Sequence, residues 1–172
     1  MDGHRLSVVP YDPAWPRLYE EEAARVSTAL GEDVAEIEHI GSTAVPGLAA
    51  KPVIDISVGL RTLALGAARV EAMGRIGYEY KGEFGIPGRL FFRKGGANRT
   101  HHVHAVEWDG EHWHRHRSFR EYLRAHPAEA RRYAEHKLAV AAEASGSDDY
   151  WERKQPFVDA LFARAWAWYE SA

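Results

Sequence analysis

The stretch that decides the fold runs from Glu38 to Leu60 and reads EHIGSTAVPGLAAKPVIDISVGL. Its second half, Val53 to Leu60 (VIDISVGL), is the clearest strand in the chain. Alternation puts Ile54, Ile56 and Val58 on one face and Asp55 and Ser57 on the other. Its first half completes a strand from Val34 to Ile40, and Gly41-Ser42-Thr43 reads as the turn that ends it. A Gly-Ser pair at a strand end offers backbone N–H groups and a hydroxyl, an arrangement that grips phosphate. Asp55, on a strand that is otherwise strongly apolar, can hold a divalent cation that neutralises triphosphate charge. Taken singly, each feature has a plainer explanation: a turn ending in a helix cap, or a strand aspartate facing solvent. Their combination is more specific than either.

Outward from this core the periodicities change. Toward the N-terminus, PYDPAWP (Pro10 to Pro16) is an extended lead-in. A helix follows to Leu30, with Leu18, Ala23, Val26 and Leu30 near one face and Gly31 as its stop. Toward the C-terminus, Thr62 to Ile76 has helical spacing. Tyr78 to Phe84, Arg89 to Lys94 and His101 to Trp108 read as strands. The Gly85-Ile86-Pro87-Gly88 and Gly95-Gly96-Ala97-Asn98 turns between them predict antiparallel hairpins. From Glu111 the chain is helical: one helix to Ala125, one from Pro127, and a last one that starts near Pro156 or is kinked there. The expectation is a single α+β domain over residues 1–172, a mixed sheet with flanking helices and a helical C-terminal third.

Composition narrows the function classes. The 172 residues carry a formal net charge of −3 and no cysteine. Disulfide frameworks and thiolate metal sites are excluded, and no overall basic excess points to nucleic acid. The lack of a signal-like or membrane-length apolar run gives the expectation of a cytoplasmic protein acting on a small molecule. Ten histidines are present, many of them between His101 and His136.

The Glu38 to Leu60 run, with VVPYDPAWPRLYEEE before it and LFFRK, HHVHAVEW and FREYLRAHP after it, resembles the GrpB family. The likeness extends to Tyr133, Lys137, Tyr150 and Lys154. Members of that family also occur fused to dephospho-coenzyme A kinases, and the family is placed in the nucleotidyltransferase-like superfamily. The resemblance implies that Gly41 and Ser42 form the phosphate-binding turn and that Asp55 is the first metal-binding carboxylate. It raises Arg120, Lys137 and Lys154 as groups that hold a nucleotide. The wider superfamily carries Asp-x-Asp on this strand, whereas Ser57 stands here at the second position, and a hydroxyl is a poor ligand for a divalent cation.

The strand HHVHAVE (His101 to Glu107) is the second candidate. His102 and His104 share a face, and with Asp55 from a neighbouring strand they would form a two-histidine, one-carboxylate set. Such a set suits Zn, Mn, Fe or Ni, where two carboxylates would suit Mg. The plainer explanation is a pair of hydrogen-bonding wall residues or metal-free acid–base groups. His112 and His116 are i,i+4 neighbours on a helix and read as a solvated face. Arg89 and Arg93 share a strand face, and Arg120, Arg124, Lys137 and Lys154 lie on helices. Each is a potential phosphate ligand or a solvated or ion-paired side chain. Trp151, Trp166, Trp168 and Tyr169 read as core or contact residues.

Three functions remain open. One is an enzyme transferring a nucleotidyl or phosphoryl group from a nucleoside triphosphate to a small acceptor. Another is a metal-dependent hydrolase or ligase built on Asp55, His102 and His104. The third is a non-catalytic nucleotide- or ligand-binding module.

Overall fold

A computed structural model describes residues 7–172, so Met1 to Leu6 of the expected 1–172 domain lie outside the described residues. Helix α1 spans Trp15–Leu30, and strands β1 (Val34–Ile40) and β2 (Ile54–Leu60) follow. Helix α2 (Ala67–Arg75) leads to β3 (Tyr78–Tyr80), β4 (Arg89–Lys94) and β5 (His101–Glu107). Helices α3 (Glu111–Ala125), α4 (Pro127–Glu143) and α5 (Ser147–Ser171) form the C-terminal third. The sheet order is β1-β2-β5-β4-β3. It is mixed: β2 runs parallel to β5, and every other neighbouring pair is antiparallel.

The two faces of the sheet have different jobs. Ile54, Ile56, Val58, Leu60, Val103, Ala105 and Phe92 point to one face and pack with Val26, Leu30 and Met73 from α1 and α2. At roughly 1.5–3 kcal/mol per buried large apolar side chain, this layer is the main source of stability. The opposite face carries Glu38, Asp55, Ser57, His102, His104, Arg89 and Phe91, as the strand registers require. Helix α3 covers part of that face. Its far side joins a second apolar cluster with α4 and α5, built on Phe119, Leu123, Tyr133 and Leu161.

Three elements differ from expectation. The helix expected from Thr62 begins only at Ala67, because Thr62 caps the Ala64 amide and Leu63 and Leu65 pack into the core from extended chain. The strand expected to run to Phe84 ends at Tyr80. Beyond it, Gly82 and Gly85 adopt positive φ, as does Phe84, and the chain turns back. Helix α5 starts at Ser147 and passes through Pro156, which removes one helical hydrogen bond without ending the helix.

Among the described residues, Glu22 on α1 is the one buried carboxylate of the apolar layer. It accepts hydrogen bonds from Tyr78 Oη and Lys94 Nζ, each at 2.9 Å, and pairs with Arg25. Burial alone would raise its pKa, but the bonds from Lys94 and Tyr78 outweigh burial and lower it. A carboxyl with a lowered folded pKa stabilises the protein above its unfolded pKa and loses that contribution as pH falls. Glu22→Ala is expected to cost about 3 kcal/mol in urea unfolding at pH 7. The gap to the wild type should narrow as the buffer is taken below the ordinary glutamate range.

Candidate metal and phosphate site

Parallel pairing sets Asp55 beside His102 and Ser57 beside His104. All four side chains therefore lie on the face opposite the apolar core. His104 Nε2 is 3.0 Å from Asp55 Oδ1, and His102 Nδ1 is 3.5 Å from the same oxygen. One ligand atom from each of Asp55, His102 and His104 lies within 4.8 Å of the others, a spacing that fits a single metal ion. His102 Nε2 is buried and has no hydrogen-bond partner. Burial opposes ionisation of Asp55, but the hydrogen bonds and charge of His102 and His104 prevail and hold its carboxyl well below the usual carboxylate range.

Arg89 completes one side of this group. Its Nη2 donates to the carbonyls of Glu83 and Phe84 at 3.2 and 3.0 Å, and its Nη1 approaches His104 Nδ1 at 3.4 Å. A guanidinium has only donors, so this contact makes Nδ1 the acceptor and places the proton of a neutral His104 on Nε2, facing Asp55. A metal bound at Nε2 must displace that proton. Arg89 is thus a brace for the site and its neighbouring loop.

Gly41 and Ser42 end β1 directly above Asp55. Gly41 has φ +72, and a Cβ built there would lie 2.8 Å from Asp55 Oδ2. The glycine is needed both for its backbone conformation and because the chain passes against the carboxylate. Helix α3 holds this turn from behind. Arg120 Nη1 donates to the His39 carbonyl at 3.0 Å, and Arg124 donates twice to the Ala44 carbonyl at 3.0 and 2.8 Å. Arg120 also pairs with Glu38 and Glu121. Its Nη1 and Nε are thereby engaged in positioning the turn. His39 adds a bond to Thr43 Oγ1 at 2.8 Å.

The lysines come from the helical third. Lys137 Nζ donates to Ser42 Oγ at 3.0 Å and lies 4.3 Å from the centre of the Tyr133 ring. Lys154 and Lys51 approach the Tyr150 ring at 5.2 and 4.3 Å. Among the described residues no carboxylate pairs with Lys51, Lys137 or Lys154, although Lys137 is only 2% exposed. Burial, then the charge of Lys154, brings Lys137 down to about 7. Burial, then Lys51, brings Lys154 down to about 8, against a smaller opposing pull from Asp55. The Tyr150 hydroxyl is buried and unpartnered beside them.

Two participants escaped the sequence reading. His116, expected on a solvated face, points into the sheet instead. Its Nδ1 is 3.1 Å from Ser57 Oγ and its ring lies 5.4 Å from that of His104. Burial lowers it to about 3 and keeps it neutral. Ser57, only 1% exposed, is thereby a buried hydrogen-bonding partner of His116 rather than an open ligand position. Lys51 carried no pattern of its own in the sequence. Arg93 stands opposite His102 on the same face of the sheet, where it is ion-paired with Glu79.

Residues 5–164 match the family described as GrpB protein. The chain is 38% identical over 165 residues to UPF0157 protein YqkA of Bacillus subtilis, covering 95% of this chain but 48% of YqkA. The crystal structure of conserved protein GrpB from Enterococcus faecalis superposes with a TM-score of 0.88 at 42% identity, covering 94% of this chain and 98% of that one. A dephospho-CoA kinase of Mycolicibacterium paratuberculosis is 28% identical over 194 residues, which take up 47% of its length. The chain therefore spans about half of these two longer relatives. No helix among the described residues is long and apolar enough to cross a membrane.

Gly41→Ala is expected to destabilise the fold by about 1–3 kcal/mol, since the conformation is essentially restricted to glycine. Urea unfolding checks the cost, and a solved structure of the variant should show Asp55 pushed away from His104. The match over residues 5–164 and the superposition together place this chain in the GrpB family, with its link to the nucleotidyltransferase-like superfamily.

Proposed function

We propose that this chain is a metal-dependent enzyme that transfers a nucleotidyl or phosphoryl group from a nucleoside triphosphate to a small acceptor. The observation that carries the reading is the pairing of two complementary sets across the Gly41-Ser42 turn. On one side Asp55, His102 and His104 converge. On the other stand lysines, one of them nearly fully buried, with no carboxylate among the described residues paired to them. Burying an ammonium without a counter-ion is costly, and a phosphate chain is the anion that matches several lysines beside a Gly-Ser turn.

In this reading Lys137, Lys154 and the Ser42 hydroxyl bind the phosphates, and Lys51 adds positive potential from the Tyr150 side. Asp55, His102 and His104 hold a divalent metal, and a set with two imidazoles favours Zn, Mn, Fe or Ni over Mg. When bound, the metal supplies charge neutralisation at the reacting phosphate. The fit rests on the converging donors and on the orphaned, buried His102 Nε2. Arg89 orients His104, and Arg120 and Arg124 keep the phosphate turn against Asp55. An apolar cavity of about 640 Å³ opens between residues 45–49 and helices α3 and α4. It begins three residues past Ser42 and one helical turn before Lys137, so the acceptor is assigned to it. The cytoplasm, where nucleoside triphosphates are plentiful, is the compartment this reading requires.

A second reading, an acid–base site without metal, draws on the Nε2 proton of His104 facing Asp55. Metal analysis of untagged protein separates the two. Stoichiometric metal in the wild type, lost in His102→Ala/His104→Ala, is expected. No metal, and none taken up from Zn²⁺, Mn²⁺ or Ni²⁺, would overturn the metal reading. For the phosphate grip, Lys137→Met should weaken binding of tripolyphosphate by about tenfold or more in calorimetry. Wild-type affinity should fall as pH rises through 7 to 8, because the ammonium form is lost above the lowered pKa values of Lys137 and Lys154.

A further inference from the structure

Sheet order lays out the site as a line. Ser42 follows β1, Asp55 is on β2, His102 and His104 are on β5, and Phe91 is on β4. Neighbouring strands are about 4.8 Å apart, so Phe91 lies on the far side of the histidines from the phosphate turn. The Phe91 ring is 5.2 Å from His102 and 5.4 Å from His104. Stacked on Phe91, with centroids 5.3 Å apart and planes at 18°, is Phe84 from the loop between β3 and β4.

Phe84 has two unusual properties. It is 55% exposed, among the most exposed of the large apolar side chains. It also has φ +49, a conformation bulky side chains rarely adopt. The second requires a surrounding structure that enforces it. That structure is present: Arg89 donates to the carbonyls of both Glu83 and Phe84, and the Glu83 carboxylate accepts the Gly88 amide at 2.5 Å. Lys81 and Arg93 approach the Phe84 ring at 5.8 and 5.7 Å and are both tied to Glu79. The loop thus holds an aromatic ring at the edge of the site in a fixed orientation, against the hydrophobic tendency to bury it.

We propose that Phe84 is the stacking platform for the base of the donor nucleotide. The base lies against Phe84 on one side of Asp55, His102 and His104, and the terminal phosphates reach Ser42 and Lys137 on the other. An exposed aromatic ring with two cations nearby suits a planar heterocycle, since every nucleobase offers a π-face. Pre-organisation by Arg89 lowers the entropy lost when the base docks. The inference rests on the reading of this site as a nucleotide site, and adds to it which end of the nucleotide goes where.

The test compares the four common ribonucleoside triphosphates with tripolyphosphate, each in Mn²⁺-containing buffer, by calorimetry on the full chain. Phe84→Asn is the deleting variant, because asparagine tolerates positive φ and the fold should survive. Phe84→Trp is the conserving one. At least one triphosphate should bind the wild type more tightly than tripolyphosphate does. Phe84→Asn should remove that advantage, roughly tenfold or more, and leave tripolyphosphate binding unchanged. Phe84→Trp should retain it. Equal affinity of Phe84→Asn and wild type for the best triphosphate would overturn the platform and leave the phosphate grip standing. So would a wild type that binds no triphosphate better than tripolyphosphate. Failure of the wild type to bind either would overturn the nucleotide reading itself.

Discussion

The parallel register of β2 on β5 is the constraint on which the rest of the site depends. It sets Asp55 level with His102 and Ser57 level with His104, so one carboxylate and two imidazoles meet with no loop involved. A slip of one residue would turn Asp55 toward the apolar layer and Ile54 or Ile56 toward the histidines. The apolar alternation of both strands therefore protects the site. The same burial of Ile54, Ile56, Val58, Val103 and Ala105 that stabilises the sheet fixes which side chains face out together. Stability and site geometry come from one set of contacts.

Around that rigid centre the flexible parts are braced from outside. The Gly41-Ser42 turn is held by two arginines of α3, and the Phe84 loop by Arg89. Both devices use guanidinium groups as donors to backbone carbonyls in or beside the turn. The lysines are treated differently. Lys51, Lys137 and Lys154 rest against tyrosine rings instead of carboxylates, which partly offsets burial while leaving their charge available. Contacts to backbone carbonyls for the arginines and to tyrosine rings for the lysines thus separate residues that look alike in sequence.

Much of this is legible in the sequence alone. The bounds of β1, β4 and α3 follow from alternation, turn glycines and the proline at 127, all local signals. Asp55, His102 and His104 could be assigned to strand faces by parity alone. What parity cannot supply is which strands are neighbours. That β5, rather than β3 or β4, lies beside β2 results from a crossover through α2 and a hairpin, and is non-local. His116 was misread for the same reason: its i,i+4 partner His112 suggested a solvated stripe, and only the docking of α3 on the sheet turns it inward. Helix α5 was misplaced because Pro156 is a local helix breaker, whereas packing of Val158, Leu161 and Ala165 carries the helix through it.

Ser57 is where the local and the global accounts meet. As a departure from Asp-x-Asp it looks like a lost ligand, and in isolation it argues for lost chemistry. In the fold it is buried against His116, and the face it would have served as a carboxylate is occupied by His104 from the adjacent strand. A second aspartate there would place two like charges at the bottom of a partly desolvated site. An imidazole at the neighbouring strand position supplies a neutral donor instead, and a neutral donor binds a softer metal without that repulsion. Where Asp-x-Asp would set two carboxylates on one strand, this chain therefore sets one carboxylate and a buried serine beside two imidazoles of the next strand.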